Sequence, residues 1–371
     1  MKLTIKTDIL TKNVQLALNT IDTQGLNPIL SCILFDVNKD QITITTSNNL
    51  GYSQINIKGG FDVKSNGKFL IKGKIFLEIL LTIKSKEINL EIIDDSVLRI
   101  YYDNFLCNLN TFEVNSYPYI SFQYKDWTNF KLSNNFIQQI NKLNNFTAIS
   151  SDVPNPLSGI CLDTINDDNL IKAVATNSYH LAYYQEEGKY PKFKIIITQK
   201  ILEFLNFLIT KDKELPILWT KDGKLVIEYK ENLFFFKLLD MDYPSVYKTL
   251  ENNYIHNFEI KKSLFTDMVN RTLPLIQNIK DVPFFLKINE NKLSFSTKSI
   301  EFGESYEEIK LEKENFSQVF NFKLNVKYLN HILKVIDNDL ITFNFIDINK
   351  AILITDKKDK NWKFLILPQR Q

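Results

Sequence analysis

A net charge of +2 over 371 residues, with 45 basic and 43 acidic side chains and 44% hydrophobic residues, is typical of a globular protein with well-packed cores. The length indicates two or three domains. No stretch approaches the roughly 20 apolar residues that a membrane span requires, and the N-terminus MKLTIKTDIL lacks the apolar run of an export signal. We therefore expect a cytoplasmic protein that does not bind membranes.

The cysteines argue against two kinds of site, and the scarcity of arginine leaves phosphate binding to lysine. Cys32, Cys107 and Cys161 lie far apart, without a C-x-x-C pair or a neighbouring histidine. We therefore expect neither a disulfide framework nor a metal site, and no cofactor. Arginine occurs only three times in the chain, so lysine must supply any contacts to phosphate.

The chain begins with an element that recurs twice. An alternating strand followed by an amphipathic helix starts at Leu3 (LTIKTDILTKNVQLALNTI), Phe130 (FKLSNNFIQQINKLNNFTAI) and Phe258 (FEIKKSLFTDMVNRTLPLI), at offsets of 127 and 128 residues. In the second copy, apolar side chains recur at helical spacing. They are Phe136, Ile140, Leu143 and Phe146.

A second strand–helix element recurs with the same period. The segments LIKGKIFLEILLTI, IITQKILEFLNFLI and KLNVKYLNHILKVI align on Lys74, Lys200 and Lys327, which are 126 and 127 residues apart. Helices are predicted over 8–21, 72–83, 134–147, 198–211, 261–276 and 325–336. Between them, alternating runs such as QITITTSN and KLVIEYKENLFFFKLL predict strands, several joined by turns that contain Asp or Asn. Two elements that share one period predict an α+β chain of three tandem domains, over 1–124, 125–250 and 251–371.

The predicted helices concentrate positive charge. Their segments carry a net charge of +7, and the rest of the chain, whose total is +2, therefore carries −5. Exposed lysines on these helices would attract phosphate, and the segments contain no arginine pair or aromatic platform that could read bases. The alternative is an ordinary solvated helix face. Basic residues in all six segments favour phosphate contacts that are independent of DNA sequence.

The stretch ATNSYHLAYY, residues 175–184, raises the alternative of an enzyme. Ser178 and His180 stand two residues apart at a predicted strand end. The sequence has no G-x-S-x-G elbow, no glycines for an oxyanion hole and no acid placed to orient the histidine. We therefore expect no catalytic site.

Motifs along the whole chain resemble those of the bacterial sliding clamp family, the beta subunits of DNA polymerase III. NPILSCILFDV and FLCNLNTFEVNSYP resemble first-domain patterns of the family. NPLSGICLDT followed by LIKAVATNSYHLA resembles its L-x-G and A-T-D-G-H-R-L-A signature. LLDMDYPSVYKTL and the terminal FLILPQRQ resemble its G-R-[FY]-P-x-Y and closing apolar-Pro-x-Arg motifs.

The resemblance implies a ring that surrounds DNA. In the family each domain packs two inward helices on outward antiparallel sheets, three domains form a half-ring, and a two-fold homodimer closes six domains around duplex DNA. Such a clamp is a non-catalytic processivity factor of the replicative polymerase. The phosphate contacts implied here are Lys12, Lys72, Lys74, Lys142, Lys200 and Lys334, with Gln24 where the family has a basic residue.

The resemblance also implies an apolar pocket that binds short linear peptides from the replicative polymerase, the clamp loader and repair polymerases. Its walls would be Leu157, Thr176, Leu181, Pro244, Val246, Ile366, Leu367 and Pro368. Its rim would be Ser178, Tyr179, His180, Lys248, Gln369 and Arg370. At positions 177–180, where this chain has Asn, Ser, Tyr and His, the family has Asp, Gly, His and Arg.

The dimer contact implied by the resemblance joins the first domain of one chain to the third of the other. The strand with Cys107 and Leu109 would meet the helix end with Pro274, Leu275 and Ile276. A second alternative remains, in which the chain is a clamp-fold scaffold that binds peptides without encircling DNA.

Overall fold

The computed structural model describes residues 1–19, 28–48, 51–118, 123–149, 153–167, 169–211, 214–276, 283–299, 301–311 and 316–369, and only the backbone of Lys211, Ile276 and Pro283. These residues form 25 strands and seven α-helices. The first third of the chain contains β1 (Lys2–Lys6), α1 (Thr7–Leu18), β2 (Cys32–Val37), β3 (Ile42–Ser47), β4 (Gly51–Ile57), β5 (Phe61–Ser65), β6 (Gly67–Lys72), α2 (Gly73–Thr82), β7 (Glu87–Ile93), β8 (Val97–Tyr102) and β9 (Phe105–Asn110).

The remaining two thirds repeat this order with small variations. The middle third contains β10 (Thr128–Phe130), α3 (Asn134–Asn141), β11 (Gly159–Asp163), β12 (Leu170–Thr176), β13 (His180–Glu187), β14 (Lys194–Thr198), α4 (Gln199–Lys211), β15 (Ile217–Lys221), β16 (Lys224–Tyr229) and β17 (Asn232–Lys237). The last third contains α5 (Tyr247–Leu250), β18 (His256–Lys261), α6 (Lys262–Thr272), β19 (Pro283–Glu290), β20 (Lys292–Ser299), β21 (Gly303–Lys310), β22 (Phe316–Asn325), α7 (Val326–Val335), β23 (Leu340–Phe345), β24 (Ile352–Asp356) and β25 (Trp362–Ile366).

The two repeated strand–helix elements are confirmed. The first appears as β1–α1, β10–α3 and β18–α6, and the second as β6–α2, β14–α4 and β22–α7. Two of the predicted helices are wrong at their C-terminal ends. The α-helix α3 stops at Asn141 and continues as a 3₁₀ turn over Lys142–Phe146. Helix α6 stops at Thr272 before the 3₁₀ turn Leu273–Ile276, because Pro274 lacks the N–H that an α-helix needs there.

The chain divides into two compact units, unit 1 with residues 1–133 and 204–238, and unit 2 with residues 134–203 and 239–371. Unit 1 contains a five-stranded sheet in the order β5-β1-β7-β8-β9 and an eight-stranded sheet in the order β10-β15-β16-β17-β4-β3-β2-β6. Unit 2 contains an eight-stranded sheet in the order β14-β11-β12-β13-β25-β24-β23-β18 and a four-stranded sheet in the order β21-β20-β19-β22. In each eight-stranded sheet the central antiparallel pair joins strands that are far apart in sequence, β4 with β17 and β13 with β25.

The helices bury one apolar face each, and α1, α2, α4 and α7 also carry exposed lysines. Phe136 and Ile140 of α3 are fully buried, as are Leu143 and Phe146 in the 3₁₀ turn that follows. This confirms the helical spacing read from the sequence. Helix α7 buries Leu329 and four other apolar residues in the same way. Short turns with left-handed backbone, such as Asp222–Gly223 between β15 and β16, match the predicted Asp turns.

Candidate functional site

Unit 2 contains a pocket of about 250 Å³ above the junction of β13 and β25. Most of its lining is apolar, and a buried cluster that includes Cys161, Val174 and Tyr243 lies against it. The residues that line it come from five separate stretches of the chain: Leu157, Thr176, Ser178, Tyr179, His180, Leu181, Pro244, Ser245, Val246, Thr249, Ala351, Leu365 and Leu367. The fold therefore brings together nine of the fourteen residues that the sequence assigned to a peptide pocket.

A hydrogen-bonded turn between β12 and β13 forms one side of the pocket. The Thr176 hydroxyl donates to the His180 carbonyl over 2.8 Å and accepts from the Ser178 N–H over 3.1 Å. The Asn177 side-chain oxygen accepts from the backbone N–H groups of Tyr179 and His180 over 3.0 and 3.1 Å. Ser178 takes a φ of 76°, in the left-handed region that glycine adopts most easily.

The prediction that His180 lies at the rim is wrong, because its side chain is only 2% exposed. Its ring stacks on Tyr328 of α7 at 4.1 Å between centroids and lies 4.7 Å from the ring of Phe146. The turn places His180 at the first position of β13, where the side chain points into the protein. Tyr179, which is 61% exposed, and its neighbour Ser178 are the residues of this turn that face solvent.

The two ring nitrogens of His180 are both engaged. Nδ1 lies 2.8 Å from Asn177 Oδ1, which can only accept, so Nδ1 carries the proton. Nε2 then accepts from Nδ1 of His331, 3.2 Å away. Burial, together with the neighbouring His331, lowers the pKa of His180 to about 3, and burial also lowers the pKa of His331. Both rings are neutral near pH 7, and neither nitrogen of His180 is directed at Ser178, so the arrangement is not a serine nucleophile with its base.

Four of the five remaining pocket predictions do not fall on the lining. Successive side chains of a strand point to opposite faces, so Leu365 and Leu367 face the pocket while Ile366 is fully buried on the other side. Lys248, Pro368 and Gln369 lie outside the lining, and the Gln369 N–H donates to the Lys323 carbonyl. Arg370 lies outside the described residues.

Sequence reasoning missed four residues of the lining: Ser245, Thr249, Ala351 and Leu365. The alternation of β25 could have supplied Leu365, because that residue shares a face with Leu367. Ser245 and Thr249 flank residues already assigned to the pocket. Nothing in the sequence assigns Ala351 to the pocket, because it lies in a turn more than 170 residues beyond β12.

Four of the predicted phosphate-binding lysines are exposed on helices. They are Lys12, Lys74, Lys200 and Lys334. Two others already have partners. The ammonium group of Lys72 donates to the Pro28 carbonyl and the Ser31 hydroxyl over 3.0 and 2.7 Å, and that of Lys142 forms an ion pair with Asp337 at 3.1 Å. Gln24 lies outside the described residues.

Unit 1 also has a wide open groove of about 930 Å³ beside the start of α1 and the end of α2. Four lysines line it, together with the exposed Leu81. They are Lys6, Lys12, Lys84 and Lys86. Asp8 and Glu87 also line the groove, so its four lysines and two acids leave a net positive charge around Lys12, which is one of the predicted phosphate contacts.

The predicted dimer residues lie in two places. Cys107 and Leu109 are half-buried on β9, which is an edge strand of the five-stranded sheet in unit 1. Pro274 is exposed and Leu275 half-buried in the 3₁₀ turn after α6 in unit 2. The side chain of Ile276 lies outside the described part of the structure.

Among the described residues, no group of three or more histidine, cysteine or acidic side chains is arranged to hold a metal ion. None of the helices in the described ranges is long and apolar enough to cross a membrane.

Three sequence profiles match consecutive parts of the chain. They describe the N-terminal, central and C-terminal domains of the DNA polymerase III beta subunit, over residues 1–121, 131–245 and 250–370. The chain belongs to the DNA polymerase III beta subunit family.

Relatives of this beta subunit match it from end to end. It is 25% identical to the beta sliding clamp of Mycoplasma genitalium, with 100% of both chains covered. It is 24% identical to the beta sliding clamp of Staphylococcus epidermidis, with 100% of this chain and 99% of the relative covered. Both relatives carry the same name, and neither comparison leaves an unmatched domain.

Solved structures show the same fold. The DNA polymerase III beta chain of Streptococcus pneumoniae superposes with a TM-score of 0.90 at 19% identity, covering 100% of both chains. The DNA polymerase sliding clamp of Bacillus subtilis gives a TM-score of 0.89 at 21% identity, covering 100% of this chain and 99% of that one. The three tandem α+β domains predicted from the sequence period and the clamp fold implied by the resemblance are therefore both confirmed.

Proposed function

We propose that this chain is the DNA sliding clamp of a replicative DNA polymerase, a processivity factor that encircles duplex DNA without sequence preference. The observation that carries the proposal is the end-to-end match to relatives named beta sliding clamp, through all three domains. The domains in this proposal span 1–124, 125–250 and 251–371. The protein acts in the cytoplasm on nucleoid DNA, and as a non-catalytic subunit it needs no cofactor.

Its contact with DNA is made by lysines on helix surfaces. Lys12, Lys74, Lys200 and Lys334 are exposed on α1, α2, α4 and α7, on the opposite side of each helix from its buried apolar face. Lysine ammonium groups attract phosphates at long range without reading bases. Lys72 and Lys142 make a smaller contribution, because the ammonium group of each already has an oxygen partner.

The ring is closed by two copies of the chain. Strand β9 has β8 as its neighbour on one side and forms the edge of its sheet on the other, so its second row of backbone groups is available to a partner chain. Cys107 and Leu109 on β9, and Pro274, Leu275 and Ile276 after α6, are the side chains we assign to this interface. Two such contacts related by a two-fold axis close a ring.

Partner proteins are held in the pocket of unit 2. Its apolar lining fits one or two large apolar side chains of an extended peptide, and the polar groups of Ser178 and the exposed Tyr179 stand at its edge. The replicative polymerase, the clamp loader and repair polymerases are the partners we assign to it.

Primer extension on a singly primed circular template tests the proposal. With the replicative polymerase and its clamp loader, this chain is expected to lengthen the product made in a single binding event at least tenfold. The same length with and without the chain would reject the clamp function. Peptide binding without longer products would favour a scaffold that does not encircle DNA.

A further inference from the structure

One wall of the pocket is built from a stretch of chain without regular secondary structure. Residues 238–246 run from the end of β17 to the start of α5 and form neither helix nor strand. Pro244, Ser245 and Val246 of this stretch nevertheless line the pocket, followed by Thr249 of α5. A segment without ladder hydrogen bonds depends on its side chains to fix its position.

The first of these side chains is Tyr243, directly before the wall. Its ring is 6% exposed and lies in the cluster beneath the pocket. Its hydroxyl accepts a hydrogen bond from the Thr176 N–H over 3.1 Å. Thr176 lines the opposite side of the pocket and ties the 176–180 turn together through its own hydroxyl. The Tyr243 hydroxyl therefore links the wall directly to the turn across from it.

The second side chain is Tyr247, directly after the wall. Its hydroxyl donates to Oδ2 of Asp163 over 2.8 Å. Asp163 is 3% exposed at the end of β11, and its other oxygen accepts from the Ile165 N–H over 2.9 Å. Burial raises the pKa of both tyrosines, so both hydroxyls stay protonated. A buried carboxylate needs its donors, which makes this anchor costly to break.

We propose that the hydroxyl groups of Tyr243 and Tyr247 are positioning groups that hold the 244–246 wall in its peptide-binding conformation. Neither tyrosine lines the pocket, so each acts through the backbone that it anchors. Because the wall is already ordered in the free protein, peptide binding costs less conformational entropy, and the affinity for the peptide is higher. The inference rests on the proposed peptide-binding function of the same pocket.

Tyr243→Phe and Tyr247→Phe test it, because each change removes one hydroxyl and keeps the ring. The probe is a short fluorescein-labelled peptide with leucine and phenylalanine as apolar anchors, measured by anisotropy with the full-length protein. Each variant is expected to bind about fivefold more weakly, in line with the loss of one buried hydrogen bond. In the same variants without peptide, hydrogen exchange of segments 173–181 and 239–250 is expected to become faster.

The matched control is Tyr183→Phe. Tyr183 belongs to the same buried cluster, and its ring lies edge-on to that of Tyr247 at 6.4 Å, a contact that phenylalanine keeps. Its hydroxyl donates to Gln185 on its own strand, so the change removes a buried hydroxyl that holds neither anchor. This variant should bind the peptide as the wild type does and leave exchange of both segments unchanged.

The outcomes separate the two ideas. If the wild type fails to bind while Tyr243→Phe still speeds exchange, the peptide-binding function is wrong and the positioning role stands. If the wild type binds and both tyrosine variants match it in affinity and exchange, the positioning role is wrong. An equal loss of affinity in Tyr183→Phe would also overturn it, because cluster packing and not the wall anchors would then be responsible.

Discussion

Ser178 occupies a backbone conformation that its side chain disfavours. Its φ of 76° lies in the left-handed region, and the related motif of the family has glycine at this place in A-T-D-G-H-R-L-A. The hydrogen bonds of Asn177 and Thr176 hold the turn in that shape despite the Cβ of Ser178. The sequence therefore differs from the motif at this position, and the structure shows that the difference puts a serine into a backbone conformation that favours glycine.

Replacing this serine by glycine should stabilise the protein. We expect Ser178→Gly to raise the free energy of unfolding by about 0.5–1 kcal/mol, because relief of left-handed strain outweighs the extra freedom of the unfolded chain. Urea unfolding followed by circular dichroism measures the change. Ser245→Gly is the control, since Ser245 lines the same pocket without a positive φ. If Ser178→Gly loses as much stability as the control, the backbone at Ser178 is not strained.

The buried His180 should make stability depend on pH. Its pKa is about 3 in the folded protein and 6.5 ordinarily, so between these values the unfolded chain binds a proton that the folded chain does not. The free energy of unfolding therefore falls as the pH is lowered through this window. From His180 alone we expect a decrease of about 2 kcal/mol between pH 7 and pH 5.

The comparison that isolates this effect uses His180→Gln. The variant should be less stable than wild type at pH 7, yet lose less stability on acidification to pH 5, because His331 and the carboxylates titrate in both proteins. Urea unfolding at both pH values gives the difference. Parallel pH dependence in the two proteins would show that His180 is already protonated or exposed when folded.

At the scale of elements, periodicity predicted the helices well and the pocket only in part. Helices α1, α2, α4 and α7 match the predicted segments to within a few residues, because each has a clear apolar face, whereas α3 and α6 end before their predicted C-terminal ends. Which residues line the pocket depends on the face of β25 to which each side chain points and on the position of a stretch without secondary structure. The resemblance to the family placed Ile366 in the pocket, although it lies on the other face of the strand. Pattern reasoning could not reveal the tyrosine anchors of the 244–246 wall.

Helix lysines should contribute more to DNA binding than strand lysines. Lys12 and Lys74 are exposed on α1 and α2 of unit 1, and Lys64 and Lys237 are exposed on its strands β5 and β17. Binding to a short linear duplex is measured against salt concentration. Lys12→Ala with Lys74→Ala should reduce the slope of log K against log salt by about one to two, since each phosphate contact adds about 0.9. An identical reduction in slope from Lys64→Ala with Lys237→Ala would show that the helices are not the DNA-binding surface.

Strand β9 offers a matched pair of substitutions for the dimer. Leu109 is half-buried and Leu106 is 59% exposed on the other face of the same strand. A carboxylate buried at an interface without a partner is costly, so Leu109→Glu should raise the dimer dissociation constant at least tenfold. Leu106→Glu should leave it within about threefold, as expected of an exposed position. Sedimentation velocity reports both, and equal effects would place the interface elsewhere.

At the scale of the molecule, the sequence period predicts three domains, whereas the contacts divide the chain into two units. The difference has a physical cause. Strand β4 pairs with β17, and β13 pairs with β25, so each eight-stranded sheet takes four strands from one repeat and four from the next. Periodicity reveals that repeats exist, but it carries no information on which edges of the repeats pair. The family match supplies the three domains, and their exact boundaries stay a prediction.

Retention on circular DNA tests the central claim, encirclement, most directly. The labelled protein is placed on a nicked circular plasmid by its clamp loader and freed from unbound protein by gel filtration in high salt. One half of the sample is then cut once with a restriction enzyme. A sliding clamp stays on the intact circle and slides off the ends of the cut plasmid, so label should remain with the circle alone. Equal retention on circular and linear DNA, or none on either, would contradict a ring around DNA.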